Sequence, residues 1–239
     1  MESLAGKNAI VTGGTRGIGR AIAQRLLRDG AAVAVNGRSK EAVDRAVEEM
    51  RDLGRIVGVA ADVSTVDGAR QLFAAADGTF DGLDILVNNA GQARFKRVGE
   101  MTPEEWHQNI DLNLNGAFYC AHEALARFAK RGGGFIVNIS SLAARNPFSG
   151  GAAYNASKFG LNGFTEALML DHRNDNVRVS SIMPGSVDTE FSGSGEKAGT
   201  GARWKIAPED VAEAVSMVLR MPARTMVSRV EIRPSKPGK

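Results

Sequence analysis

The chain has 239 residues, 43% hydrophobic and 24% charged, with a formal net charge of +3. These are ordinary globular values, and they exclude a disordered or fibrous chain. The small positive excess, without a concentrated basic run, excludes a nucleic-acid binder that works by electrostatics.

The N-terminal residues enter a strand with no charged start and apolar signal region, and no apolar run approaches the roughly 18 residues of a membrane span. A cytoplasmic protein without a membrane anchor is expected. Asn8-Ala9-Ile10-Val11 predicts a buried first strand over 8–12. The turn Thr12-Gly13-Gly14-Thr15-Arg16-Gly17-Ile18-Gly19 follows. Ile18, Ile22, Leu26 and Leu27 then share one side of a helix predicted over 18–29. A strand, a glycine-rich turn and a helix make a dinucleotide site: helical N-terminal amides face the pyrophosphate, and glycines let the backbone come close.

Residues 31–36 predict the second strand, followed by Gly37-Arg38-Ser39. An NAD site usually has an acid at this point for the ribose hydroxyls, and none is present. Arg38, with Arg16 from the glycine turn, suits a 2′-phosphate through paired guanidinium donors. NADP(H) is therefore expected over NAD(H).

Further strands are predicted over 56–60, 84–87, 134–139, 177–182 and 227–232. Helices are predicted over 39–53, 66–76, 103–130, 153–173 and 208–220. Thr102-Pro103-Glu104-Glu105 signs one helix start, with a capping threonine, proline at the first helical position and glutamate at the third. The only cysteine, Cys120, allows no internal disulfide and reads as helix core. His107, His122 and His172 lack metal-ligand spacing, so no metal is expected. Alternating strands and helices predict an α/β fold: a single-domain, Rossmann-type, doubly wound parallel sheet of about seven strands with helices on both faces, spanning 1–239.

Tyr154 and Lys158 lie one turn apart on one helix face. A free tyrosine pKa of about 10 is too high for efficient proton transfer near neutrality, and a nearby ammonium is expected to lower it. Ser141 adds a hydroxyl that can hold a carbonyl oxygen while Tyr154 gives or takes its proton. That set suits interconversion of a ketone and an alcohol.

Taken together, these segments resemble the classical short-chain dehydrogenase/reductase family over about residues 5–232. Thr12-Gly13 with Gly17 and Gly19 matches its nucleotide turn, along with Thr15 and Ile18; Asp62-Val63 matches its adenine contact. Asn88-Asn89-Ala90-Gly91 matches the motif after the fourth strand, and Pro184-Gly185 with Val187 and Thr189 the turn near the nicotinamide carboxamide. Asn113, Ser141, Tyr154 and Lys158 fall at the family's catalytic positions. The resemblance implies that Tyr154 is the general acid/base, that Lys158 lowers its pKa and binds the nicotinamide ribose, and that Ser141 polarises the substrate oxygen. It implies that Asn113 helps hold a water linking Lys158 to solvent. It also implies a homodimer or homotetramer formed through the helices at 103–130 and 153–173.

The pattern is similar to the 3-oxoacyl-acyl-carrier-protein reductase branch, whose final strand is apolar and glycine-rich. This chain instead ends Val230-Glu231-Ile232-Arg233-Pro234-Ser235-Lys236-Pro237-Gly238-Lys239, a tail expected to be disordered over 234–239. The glycine- and serine-rich stretch at about 190–207 is expected to cover the substrate, with Trp204 either part of that cover or an anchor for the next helix. Gln92, Arg94, Phe95, Leu142, Arg145, Asn146 and Phe148 are candidate substrate-facing residues. The leading reading is an NADP(H)-dependent carbonyl reductase or alcohol dehydrogenase. The alternatives are a 3-oxoacyl-thioester reductase and a non-catalytic nucleotide sensor or scaffold, against which the intact catalytic set argues.

Overall fold

Along the first strand, Ala9 and Val11 face one side and Ile10 the other, the period of two that a sheet buried on both faces requires. The computed structural model describes residues 1–189 and 204–236. Its seven strands are β1 (Asn8–Val11), β2 (Ala32–Gly37), β3 (Ile56–Ala60), β4 (Ile85–Asn88), β5 (Gly134–Ile139), β6 (Val177–Pro184) and β7 (Arg229–Ile232). They form one all-parallel sheet in the order β3-β2-β1-β4-β5-β6-β7.

The helices are α1 (Gly17–Arg28), α2 (Lys40–Met50), α3 (Val66–Asp77), α4 (Pro103–Ile110), α5 (Gly116–Arg131), α6 (Ala152–His172) and α7 (Pro208–Leu219). One face of the sheet packs on apolar residues of α1, α2 and α7, such as Ile22, Leu26, Met50 and Val215. The other packs on α3, α5 and α6, with Leu72, Phe73, Phe128 and Leu168 buried. This is the expected doubly wound architecture. Strand order reverses direction between β1 and β4, and such a switch point opens a crevice at the carboxyl ends of the strands.

A buried amide chain ties α6 to the middle of the sheet. Asn88 Nδ2 donates to Asn138 Oδ1 (2.9 Å), and Asn138 Nδ2 donates to Thr165 Oγ1 (2.8 Å). Buried hydrogen bonds of this kind hold a helix in one position rather than letting it slide, although Asn88 Oδ1 has no hydrogen-bond partner among the described residues.

The helix predicted over 103–130 is not one α-helix. Its start is as expected: Thr102 Oγ1 accepts from the Glu105 amide, Glu105 accepts from the Thr102 amide, and Pro103 opens the helix. After Ile110, however, a π-helical turn spans Asp111–Asn115 before α5 begins. A π turn inserts one residue into the helical repeat, which a pattern of apolar spacing does not report. Here it accompanies a tight approach, for a Cβ on Gly116 would lie 2.7 Å from the Val63 carbonyl oxygen.

Candidate active site

The crevice is a cleft of about 1070 Å³ reaching from the β1–α1 turn to the segment after β6. At one end Gly13, Thr15, Arg16, Gly17, Ile18 and Gly19 line it. Gly13 and Gly17 take φ of 62° and 52°, and a Cβ on Gly19 would fall 2.3 Å from both Gly13 O and Asn89 Nδ2. The first turn of α1 holds no acidic residue, so its amides face the cleft unopposed. Thr12, the first residue of the turn, organises this end. Its hydroxyl accepts from the amides of Asn89 and Ala90, both at 3.0 Å, while Asn89 Nδ2 donates to the carbonyls of Thr12 and Gly13.

Arg16 and Arg38 both line the cleft and are exposed. Among the described residues neither is ion-paired. β2 ends at Gly37 with no carboxylate there, and the buried Asn36 before it donates to the carbonyls of Val59 and Ala61. Ser39 does not line the cleft: it caps α2, accepting from the Ala42 amide and donating to Glu41. Asp62, Val63, Asn89, Ala90, Gly91, Pro184, Gly185, Val187 and Thr189 are all on the wall.

The other end holds Ser141, Tyr154 and Lys158. Tyr154 is 9% and Lys158 4% exposed. Burial pushes the Tyr154 phenol above its ordinary value, and a hydrogen bond from Ser141 acts in the opposite direction. In the free protein the net shift is upward despite the ammonium of Lys158, expected to lower it. Lys158 Nζ points to the Ile139 carbonyl oxygen (2.9 Å) and lies 5.8 Å from the centre of the Tyr154 ring. Burial drops Lys158 itself to about 8.

A lysine lowered in this way binds fewer protons folded than unfolded between about pH 8 and its ordinary value of 10.5. Its contribution to stability therefore rises with pH across that window and is lowest below it, where the buried site must carry a charge. In the nucleotide-free protein, Lys158→Met should accordingly gain melting temperature over wild type at pH 7, with the gain shrinking by pH 10. A difference independent of pH, read by thermal melts, would show that burial does not perturb this lysine.

Asn155, on the helix between the two, is a residue that sequence reasoning missed. Its Nδ2 donates to the Ala143 carbonyl (2.8 Å), and the Ala143 amide donates to Ser141 Oγ (3.1 Å). With one of its two lone pairs engaged in this way, the Ser141 hydroxyl still has its hydrogen to donate to Tyr154 or a substrate oxygen. Asn155→Ala should cost about 1–3 kcal/mol of stability by orphaning a buried carbonyl. It should also lower kcat more than it raises KM. An unchanged kcat in a folded variant would remove Asn155 from this role.

Asn113 lies in the π turn beside the cleft, lining an adjoining cavity of about 10 Å³ with Thr12 and Asn88. Its side chain accepts from the Gln92 amide (2.8 Å) and donates to Gln92 O (2.9 Å) and Ser157 Oγ (3.0 Å). The side chain thus clamps the segment after β4 to α6. Cys120 is fully buried and its thiol pushed up to about 12, as a core residue. Among the described residues no group of three or more His, Cys, Asp or Glu is placed to hold a metal, and no helix is long and apolar enough to cross a membrane.

Of the candidate substrate-facing residues, Gln92, Phe95, Leu142, Asn146 and Phe148 line the cleft. Arg94 and Arg145 do not; Arg145 is drawn to Glu231 at 2.7 Å. Trp204 and Lys205 do line it, while residues 190–203 of the expected cover lie outside the described residues. Of the tail expected to be disordered, 237–239 are likewise outside, but Pro234, together with the preceding Arg233, forms part of the cleft wall. The β6–β7 pairing brings them there, with the Gly185 amide donating to Ile232 O (2.8 Å).

A parallel sheet with a glycine-turn crevice at its switch point defines a Rossmann-type nucleotide-binding architecture. The family model for short chain dehydrogenases matches residues 7–198, and the chain belongs to that family. An uncharacterized oxidoreductase of Staphylococcus aureus strain USA300 is 33% identical over 235 residues, covering 98% of this chain and all of the relative. An alcohol dehydrogenase from the archaeon Thermococcus sibiricus, complexed with 5-hydroxy-NADP, has a TM-score of 0.89 and 30% identity, covering 98% of this chain and 99% of its own. A metagenomic short-chain oxidoreductase in complex with NADP has a TM-score of 0.86 and 33% identity, over 99% of this chain and 100% of its own. An actinorhodin polyketide ketoreductase variant with NADPH has a TM-score of 0.88 and 30% identity, over 98% of each chain.

Proposed function

We propose that the protein is an NADP(H)-dependent oxidoreductase that interconverts a carbonyl and a secondary alcohol. The observation that carries this reading is one cleft with two chemically distinct ends. One end offers glycine-turn amides and two guanidiniums without an ion pair among the described residues; the other offers a buried tyrosine and lysine with a serine beside them. Structural neighbours complexed with NADP or NADPH support the same cofactor.

The residues fit the nucleotide. The turn at Gly13, Gly17 and Gly19 would hold the pyrophosphate, Arg16 and Arg38 the 2′-phosphate, and Asp62 and Val63 the adenine. Lys158 would bind the nicotinamide ribose, and the segment Pro184, Gly185, Val187 and Thr189 the carboxamide. When bound, the nicotinamide supplies or accepts a hydride. Ser141 holds the substrate oxygen by hydrogen bonding. Tyr154 gives its hydroxyl proton to that oxygen in reduction and takes it back in oxidation. Burial keeps Tyr154 protonated in the free protein, the form that reduction needs. Lys158, with a pKa of about 8, stabilises the phenolate formed in turnover.

The polyketide ketoreductase neighbour favours a second reading, a 3-oxoacyl-thioester reductase using the same residues. Both are tested by loss of NADPH absorbance with simple ketones and with a 3-oxobutanoyl thioester. Consumption with ketones alone supports the first reading. Consumption with neither, by protein that binds NADPH, overturns both and leaves a nucleotide sensor. Assembly into a dimer or tetramer in the cytoplasm remains part of this proposal.

A further inference from the structure

Beyond Tyr154 the cleft wall is aromatic. The Phe95 ring stands edge-on to Tyr154, with centroids 5.8 Å apart, and edge-on to Phe148 at 5.4 Å. Ala93 and Ala143 pack behind Phe95 and Tyr154. Three linked rings thus lead outward from the phenol.

Phe148 is 45% exposed although it lines the cleft. Its ring is anchored all the same, for it lies over Gly151, where an added Cβ would come within 2.6 Å of it. Among the described residues the outer side of this ring is left open, so a fixed aromatic surface faces the cleft beside the reactive hydroxyl.

The polar neighbours do not change that character. Gln92 Nε2 donates to Gln108 O (2.7 Å), and Asn146 Nδ2 donates to Leu142 O (3.3 Å). Of the nearby cations, Arg94 and Arg145 do not line the cleft; Arg233 does and is paired with Glu231 at 2.8 Å, and Lys205 Nζ lies 5.9 Å from the centre of the Trp204 ring.

We propose that Phe95 and Phe148 form the subsite that selects the substrate, taking an aryl or bulky apolar substituent on the carbonyl carbon. Rings favour offset or edge-to-face contact with such a group, and its burial removes apolar surface from water on both partners. A small or charged substituent gains neither. This inference rests on the carbonyl–alcohol reading above.

The experiment compares kcat/KM with NADPH for acetophenone and 2-butanone, both methyl ketones, of which the conjugated acetophenone is intrinsically the less electrophilic, so that a preference for it reports binding of the ring. Wild type should favour the aryl ketone by at least about tenfold, the discrimination an apolar pocket achieves for a modest change in apolar size. Phe148→Ala should bring the ratio close to one, and Phe148→Tyr should retain it, with melting curves and NADPH titration confirming that both variants are folded. A wild-type ratio near one, or a ratio that survives Phe148→Ala, overturns the inference while leaving the carbonyl reading standing. The wild-type ratio decides the matter even if a variant does not fold. NADPH binding without consumption of either ketone or of the thioester overturns both.

Discussion

Tyr154→Phe should abolish reduction, lowering kcat by at least about a hundredfold and up to about ten-thousandfold, the range a positioned general acid supplies. The substitution removes one oxygen and keeps the ring. The edge-on contact with Phe95 and the packing against Ala93 and Ala143 therefore persist. The nucleotide end of the cleft is untouched, so NADPH affinity should change little. This split separates a chemical role from a structural one, since a variant that had lost its fold would lose binding too. Turnover close to wild type would end the mechanism proposed above. So would a parallel loss of binding and turnover, which would make Tyr154 a packing residue.

Arg38→Ala should weaken NADPH binding about tenfold to a hundredfold and leave NADH nearly unaffected. The expected loss is the roughly 1.5–3 kcal/mol of a hydrogen bond to a charged group, at about 1.4 kcal/mol per factor of ten. Two observations favour an effect this large. Arg38 has no ion-pair partner among the described residues, so binding phosphate breaks no existing pair. The end of β2 and the residues after it, Asn36-Gly37-Arg38-Ser39, carry no Asp or Glu, so no acid there repels the phosphate. Arg38 is exposed, so added salt should reduce the NADPH preference of wild type and not that of the variant. Fluorescence titration of both nucleotides against both proteins reads all of this. Equal losses for NADPH and NADH would refute the phosphate assignment.

Much of this molecule is written in short stretches of chain. Each strand of the sheet is a four- to eight-residue run, and the order of runs and helices forces parallel pairing. The turn from Gly13 to Gly19 and the Tyr154–Lys158 pair are local for the same reason. A positive φ, a close backbone approach, or two side chains one helical turn apart are set by neighbours in sequence. The cleft gathers nearly every residue expected from them.

Other features depend on groups far apart in the chain, and only the tertiary structure decided them. The π turn at Asn113 interrupts a stretch whose apolar spacing reads as unbroken helix, and that asparagine bonds to Gln92 and Ser157. Asn155 reaches Ser141 only because α6 packs against the segment after β5. Arg145 leaves the cleft wall, and Arg233 and Pro234 join it, because β7 pairs beside β6 and carries Glu231 to the rim. The direction of the Tyr154 shift was also beyond a local reading. Helical spacing places a lysine near a tyrosine, but the depth of burial and the carbonyl that holds the ammonium are properties of the packed sheet and helix.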